Sequence, residues 1–433
     1  MHRKKRPLFW ARASALAFLA MAAPQAFAQD GLDSGDTAWM IVSSALVMLM
    51  VPGLALFYAG MVRRKNVLSS MMHSFVALGV ITVQWVVVGY SIAFGDDIGG
   101  LLGNPGTKFL MLGITPESLS GSVPEYVFAM FQGMFAIITP ALIAGAIAER
   151  VKFSTYIVFI LAWSTLVYDP LAHWVWGEGG WLLERGALDF AGGTVVHLSS
   201  GISALVIVLM IGKRRGYPSG SMMPHNLTMT LLGAGLLWFG WFGFNAGRAV
   251  AANGSAGLAF TTTHIAAASG VIGWLLVERW HRGHASALGA ASGLVAGLVG
   301  ITPAAGFVAP WAAIIIGFGA GCLCYGAIVM KGRLGYDDSL DVVGVHGVGG
   351  TWGALATGVF AMAAFGGHAG LIEGNVSQFI TQVVGVLAAG GYAAVVTLIL
   401  VFVLNATMGF RVGDEEEQIG LDQSEHGEVG YNL

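Results

Sequence analysis

Apolar residues in this chain run in long unbroken stretches, and short polar or Gly/Pro-rich breaks divide them. Eleven stretches approach spanning length: about 37–62, 67–94, 124–148, 153–171, 190–211, 226–246, 256–278, 286–302, 308–330, 341–365 and 376–408. A helix rises about 1.5 Å per residue, so roughly 20 apolar residues cross a hydrocarbon core about 30 Å thick. The breaks carry the chemistry of loops, as in Arg63-Arg64-Lys65, Lys213-Arg214-Arg215-Gly216-Tyr217-Pro218 and Glu278-Arg279. The pattern predicts an all-α polytopic membrane protein with eleven transmembrane helices.

The two ends differ from the middle. Arg3, Lys4, Lys5, Arg6 and Arg12 precede a short apolar run, Ala15 to Ala23, and then the small residues of Ala26-Phe27-Ala28. That order reads as a cleaved signal peptide, residues 1–28, rather than a further span. Its removal takes five positive charges and changes the formal net charge from −3 to −8. Residues 29–410 then form the membrane domain. Residues 411–433 are polar, acidic at Asp414-Glu415-Glu416-Glu417, and read as a tail too charged to bury and ordered mainly by contacts.

Loop charge sets the orientation. Alternate loops carry 13 basic residues, from Arg63 through Lys213 to Arg411, whereas the others carry Lys108, Arg185 and Arg248 only. The excess marks the cytoplasmic side and predicts an N-terminus outside the inner membrane and a C-terminus inside. Eleven helices also suggest two inverted repeats of five and one extra. A weak echo supports this: Gly192-Gly193-Thr194-Val195-Val196-His197 parallels Val342-Val343-Gly344-Val345-His346-Gly347, and Asp189 and Asp341 precede the two stretches.

Composition then narrows the function classes. The chain of 433 residues is 56% hydrophobic and only 10% charged, with a mean hydropathy of +0.73. A soluble domain carries about 25% charged residues, so a soluble enzyme is excluded. The 64 glycines and 13 tryptophans suit helices packed closely in lipid with aromatic rings at its interfaces. Cys322 and Cys324, two apart on one apolar segment, do not share a helix face and read as buried thiols.

Ionisable residues within spans are costly and mark candidate function. His197 enters about 10 Å from one face and His346 about 8 Å from the other, at 1.5 Å per residue. Two neutral imidazoles there could bond to each other and pass hydrogen bonds to a small polar solute without net charge; the alternative is a pair of packed core histidines. His73 and His264 read as core. Asp169-Pro170 reads as a helix end, and Asp189 either accepts backbone N–H groups beside Gly192-Gly193 or stabilises an arriving cation. Phe131, Phe135, Trp174, Trp176, Phe242 and Phe244 would surround an outer entrance, as cation-attracting faces or as an interfacial belt. No phosphate loop, nucleophile elbow or metal-ligand spacing appears, so no enzyme, cofactor, metal or nucleic-acid partner is expected.

The chain resembles the bacterial branch of the ammonium transporter (Amt/Mep/Rh) family from about residue 36 to its end. The resemblance rests on Phe57-Tyr58-Ala59-Gly60-Met61-Val62-Arg63-Arg64-Lys65-Asn66-Val67-Leu68, on Asp189 through His197, on Trp241-Phe242-Gly243-Phe244-Asn245-Ala246-Gly247, on Asp341 through Gly347, and on Gly420-Leu421-Asp422 with His426-Gly427-Glu428. It implies a homotrimer with one pore per subunit. It also implies a twin-histidine pore at His197 and His346, a stacked phenylalanine gate at Phe135 and Phe244 with Phe131 beside it, and an outer cation-binding ring at Trp176. Asp189 matches the aspartate beneath the outer vestibule. The implied activity is recruitment of ammonium, deprotonation, and passage of ammonia past the histidines. A sensor that signals to a PII-type nitrogen regulatory protein with little transport is the other reading the family allows. One position departs: the family usually has serine where this chain has Arg248. The expectation is that Arg248 swings away from the vestibule, toward a carboxylate such as Glu178.

Overall fold

The computed structural model describes residues 31–432. The expected leader, residues 1–28, lies outside the described residues. Among these, nine helices are long and apolar enough to cross a membrane: Ser34–Met61, Arg64–Phe94, Glu125–Ile147, Phe153–Glu184, Gly193–Ile211, Leu227–Ala249, Gly254–Arg282, Pro310–Leu334 and Val376–Thr407. Two shorter helical segments fill the remaining expected places, Ala287–Ile301 and the π turn Val343–Val348 with its continuation Gly349–Phe360.

Local chemistry fixes where the helices begin and end. Asp33, Asn226, Asn253, Ser286 and Asn375 each accept a backbone N–H from the first turn of the following helix, satisfying a donor that would otherwise be orphaned. Gly283 and Gly335 close two helices in the left-handed conformation, at φ +82° and +76°. Asp169 corrects a sequence expectation, because the helix does not end there. A π turn at Ser164–Tyr168 leads directly into Asp169–Trp176. Pro170 sits in the first turn after that π turn, where its missing N–H costs least. Asp169 itself is buried and accepts from Gln84 Nε2 at 2.6 Å.

The halves of the chain pair like with like. The first helix packs along the sixth, with Gly233 so close to Phe57 that a Cβ would lie 2.3 Å from its nitrogen. The fifth packs against the tenth at Gly201 and Gly347, where a Cβ on Gly201 would meet the Gly347 nitrogen at 2.2 Å. Helices without a hydrophobic force between them in lipid associate through such small residues.

The end of the bundle that carries most of the basic loops is tied by ions. Arg63 Nε donates to Glu149 Oε2 at 2.9 Å and Arg214 Nη1 donates to the same oxygen at 3.1 Å. Arg214 also holds Asp337, and Arg150 lies 3.4 Å from that carboxylate. The tail corrects the expectation that it is too charged to bury. It forms helices Asp414–Ile419 and Leu421–His426, and Glu417, Leu421 and Asp422 are buried. Pairing removes the cost: Arg411 holds Glu417 at 2.6 Å, and Asp422 accepts from Ser69 N at 2.8 Å.

Candidate functional site

The centre of the bundle contains a line of rings. Phe131 and Phe135, four apart on helix Glu125–Ile147, meet edge to face at 5.0 Å between centroids. Phe135 lies 4.2 Å from Phe244 with the planes tilted by 31°, and 6.1 Å from Trp176. Beyond Phe244 come His197, at 6.1 Å, and then His346, whose ring centroid is 5.2 Å from that of His197. The structure therefore brings Trp176, Phe131, Phe135, Phe244, His197 and His346 together. Trp174 and Phe242 lie elsewhere: Trp174 packs on Trp181 and Tyr392, and Phe242 stacks on Phe260.

Both histidines sit on π turns, Gly193–Leu198 and Val343–Val348. The wider turn accommodates one more residue than an α turn and re-aims the side chain. Their Nδ1 atoms are 3.2 Å apart. Such a bond needs one proton between two nitrogens, so one ring donates from Nδ1 while the other accepts. The first ring then has a free lone pair at Nε2, and the second carries its proton there. The pair thus offers one acceptor and one donor with no net charge. His197 Nε2 has no partner and lines a narrow cavity with His346, Trp241, Phe244, Leu142 and Val295. The cavity offers about 10 Å³ to the centre of a water-sized molecule, about enough for one.

Asp189 holds the first π turn. Its Oδ1 accepts from Gly192 N and Gly193 N at 2.8 and 2.6 Å, and its Oδ2 from Thr194 N and Val195 N at 2.8 and 3.2 Å and from the Thr194 hydroxyl. Trp176 Nε1 donates to the Asp189 carbonyl at 2.9 Å. The counterpart on the second π turn is not Asp341, as the sequence echo suggests. Asp341 adopts φ +66° and pairs with Lys331. Buried Asp338 accepts from Val343 N at 2.7 Å instead. Asp338 stands eight residues before His346, as Asp189 stands eight before His197, and each aspartate accepts an N–H five residues on, from Val343 and Thr194.

Arg248 also departs from expectation. It does not reach Glu178, which is exposed. Its guanidinium carbon lies 4.3 Å from the Trp176 ring centroid. The aromatic face attracts the planar cation more cheaply than an extended arm to a solvated carboxylate would. Trp241 was missed by sequence reasoning. Its ring stacks on His197 at 5.5 Å, and its Nε1 donates to Thr302 Oγ1 at 3.0 Å. The signal was available, since Trp241 and Phe244 are three apart and share one helix face. His73 is buried and packs against Tyr156 and Phe153, as a core residue would, whereas His264 stacks on Trp238 but is exposed, which corrects its reading as core. Cys324 is a buried free thiol and Cys322 a half-buried one.

The arrangement is similar to known proteins over nearly all of its length. The model of the Ammonium Transporter Family matches residues 38–431. An ammonium transporter from Mycobacterium tuberculosis is 49% identical, over 93% of this chain and 91% of that one. The crystal structure of Saccharomyces cerevisiae Mep2 is 38% identical with a TM-score of 0.84, covering 89% of each chain. A solved structure described as a sensor Amt protein is 30% identical with a TM-score of 0.84, covering 90% of this chain and 98% of that one. A polytopic membrane protein with matching motifs throughout, the chain belongs to the ammonium transporter family.

Proposed function

We propose that this protein carries ammonium across the inner membrane by recruiting it at the outer end, removing its proton near Phe135 and Phe244, and passing ammonia along His197 and His346. The observation that carries the reading is the Nδ1–Nδ1 contact of 3.2 Å inside a cavity that admits one water-sized molecule. A dehydrated cation in an apolar constriction pays several kcal/mol or more. Ammonia pays only for its hydrogen bonds, and the histidine pair supplies one donor and one acceptor. Ammonium and potassium are nearly equal in size, so release of a proton is itself the filter, because potassium has none to give. The proton crosses separately, which makes transport electrogenic.

In this reading residues 29–410 form the membrane domain with eleven spans, and the tail 411–433 lies in the cytoplasm with the basic loops. Subunits associate as homotrimers, each with its own pore, and a PII-type regulator docks on the tail side. Trp176 is the outer ring and Asp189 positions the turn that bears His197. A second reading, an ammonium sensor with little transport, is favoured by one observation: the Arg248 guanidinium already lies on Trp176.

Current on a supported membrane separates the two. Purified protein in liposomes receives ammonium pulses and equal potassium pulses, beside a variant with both His197→Ala and His346→Ala. A saturable ammonium current, absent with potassium and altered in the double variant, supports transport. A silent wild type would overturn it in favour of the sensor.

A further inference from the structure

Arg248 is an unpaired cation in a place built for a cation. Among the described residues no carboxylate forms an ion pair with it, and its Nε is buried without a hydrogen-bond partner. Asp189, whose charge acts on it, is already saturated by the four backbone N–H groups and the Thr194 hydroxyl. A half-buried guanidinium with no carboxylate in direct contact is costly unless another contact offsets it. The direct contact that does so is the Trp176 face, 4.3 Å from the guanidinium carbon. The tether is short. Arg248 lies on the turn Gly247–Ala249 directly after helix Leu227–Ala246, and Val250 at φ +54° redirects the chain behind it. Gly247 is pressed against the phenylalanine stack, where a Cβ would lie 2.7 Å from Phe131.

We propose that Arg248 is a resident cation of the outer ring: ammonium reaches the Trp176 face only by displacing the guanidinium, which sets the chain to work at high external ammonium. The proposal deepens the transport reading above and takes Trp176 as its recruiting face. One ring face does not hold two cations, since a second unit charge about 4 Å away is repelled at any dielectric a protein offers. Opening is then a side-chain rotation, with no rearrangement of helices.

Arg248→Ser and Arg248→Gln test this, the glutamine keeping length without charge. Ammonium binding is titrated by calorimetry against a potassium control, and half-saturation of the current is measured on the same preparations. Both variants should bind ammonium at least tenfold more tightly and half-saturate at correspondingly lower concentration. Adding Trp176→Leu to Arg248→Ser should abolish the gain. Unchanged binding in both variants would overturn the resident-cation role, and so would a gain with serine alone, which would point to bulk rather than charge. A wild-type current with unchanged half-saturation in the variants leaves transport standing and removes this inference. Silence in all proteins removes the transport reading, and the calorimetric comparison still decides whether Arg248 occupies the ring.

Discussion

Asp189→Asn keeps the shape of the side chain and removes its charge. The carboxylate accepts two N–H groups on one oxygen, and two N–H groups and a hydroxyl on the other. An amide turned to keep the second set presents its NH₂ to Gly192 and Gly193, which orphans two buried donors. Each costs about 1–3 kcal/mol, and the lost charge at a helix start adds up to about 2 kcal/mol. The expected loss is roughly 4 kcal/mol. Thr194→Val deletes only the hydroxyl bond and should cost about 1 kcal/mol. Thermal unfolding of purified wild type and both variants in one detergent reads the order, and supported-membrane current reads the consequence at His197, three residues beyond Thr194. The positioning role predicts that stability and current fall together, more for asparagine than for valine. An asparagine variant that melts with wild type yet carries no current would refute the reasoning and assign Asp189 to the cation itself.

Two further predictions concern the frame around the pore. Burial alone would raise the Glu149 carboxyl pKa, but Arg214 and Arg63 outweigh it and hold the pKa below its ordinary value; Glu149→Gln should therefore cost about 3 kcal/mol near neutrality. Because the folded value is depressed, the wild-type advantage is full above about pH 4.3 and shrinks as pH falls through the folded value, so melting temperatures of the two proteins should converge in acid; a constant gap would refute the pairing. Gly201→Ala places a methyl 2.2 Å from the Gly347 nitrogen, backbone that cannot rotate away. It should cost about 3 kcal/mol and lengthen the His197–His346 contact in a structure of the variant, whereas Gly79→Ala, with nothing within 4 Å of its Cβ, should be tolerated.

Much of the fold was legible because lipid imposes a simple rule. Each spanning backbone must satisfy itself as a helix, so most of the long apolar stretches mapped onto helices with their ends shifted by a few residues, the exception being 153–171, which runs on to Glu184. The boundary at Asp169 was misread for a local reason. A Pro one residue after an aspartate usually closes a helix, but the preceding π turn relocates the missing hydrogen bond, and π turns leave no periodic trace in sequence. The tail was misread because charge predicts solvation only where no partner waits. Asn66 and the Ser69 N–H, which receive it, lie 355 and 353 residues from Leu421 and Asp422.

At the site, residue type and depth identified His197 and His346 as a candidate pair, and the motifs implied Trp176, Phe135 and Phe244. Sequence by itself determined the helical class and the candidate chemistry, because both follow from properties that each residue carries alone: hydropathy, propensity and ionisability. Only tertiary structure decided that the histidines meet through Nδ1 and that Arg248 rests on Trp176 rather than on Glu178. Those outcomes depend on distances across helices far apart in the chain, and on which contact offsets the cost of burying a polar group. That competition is settled by packing, and the order of residues does not encode it locally.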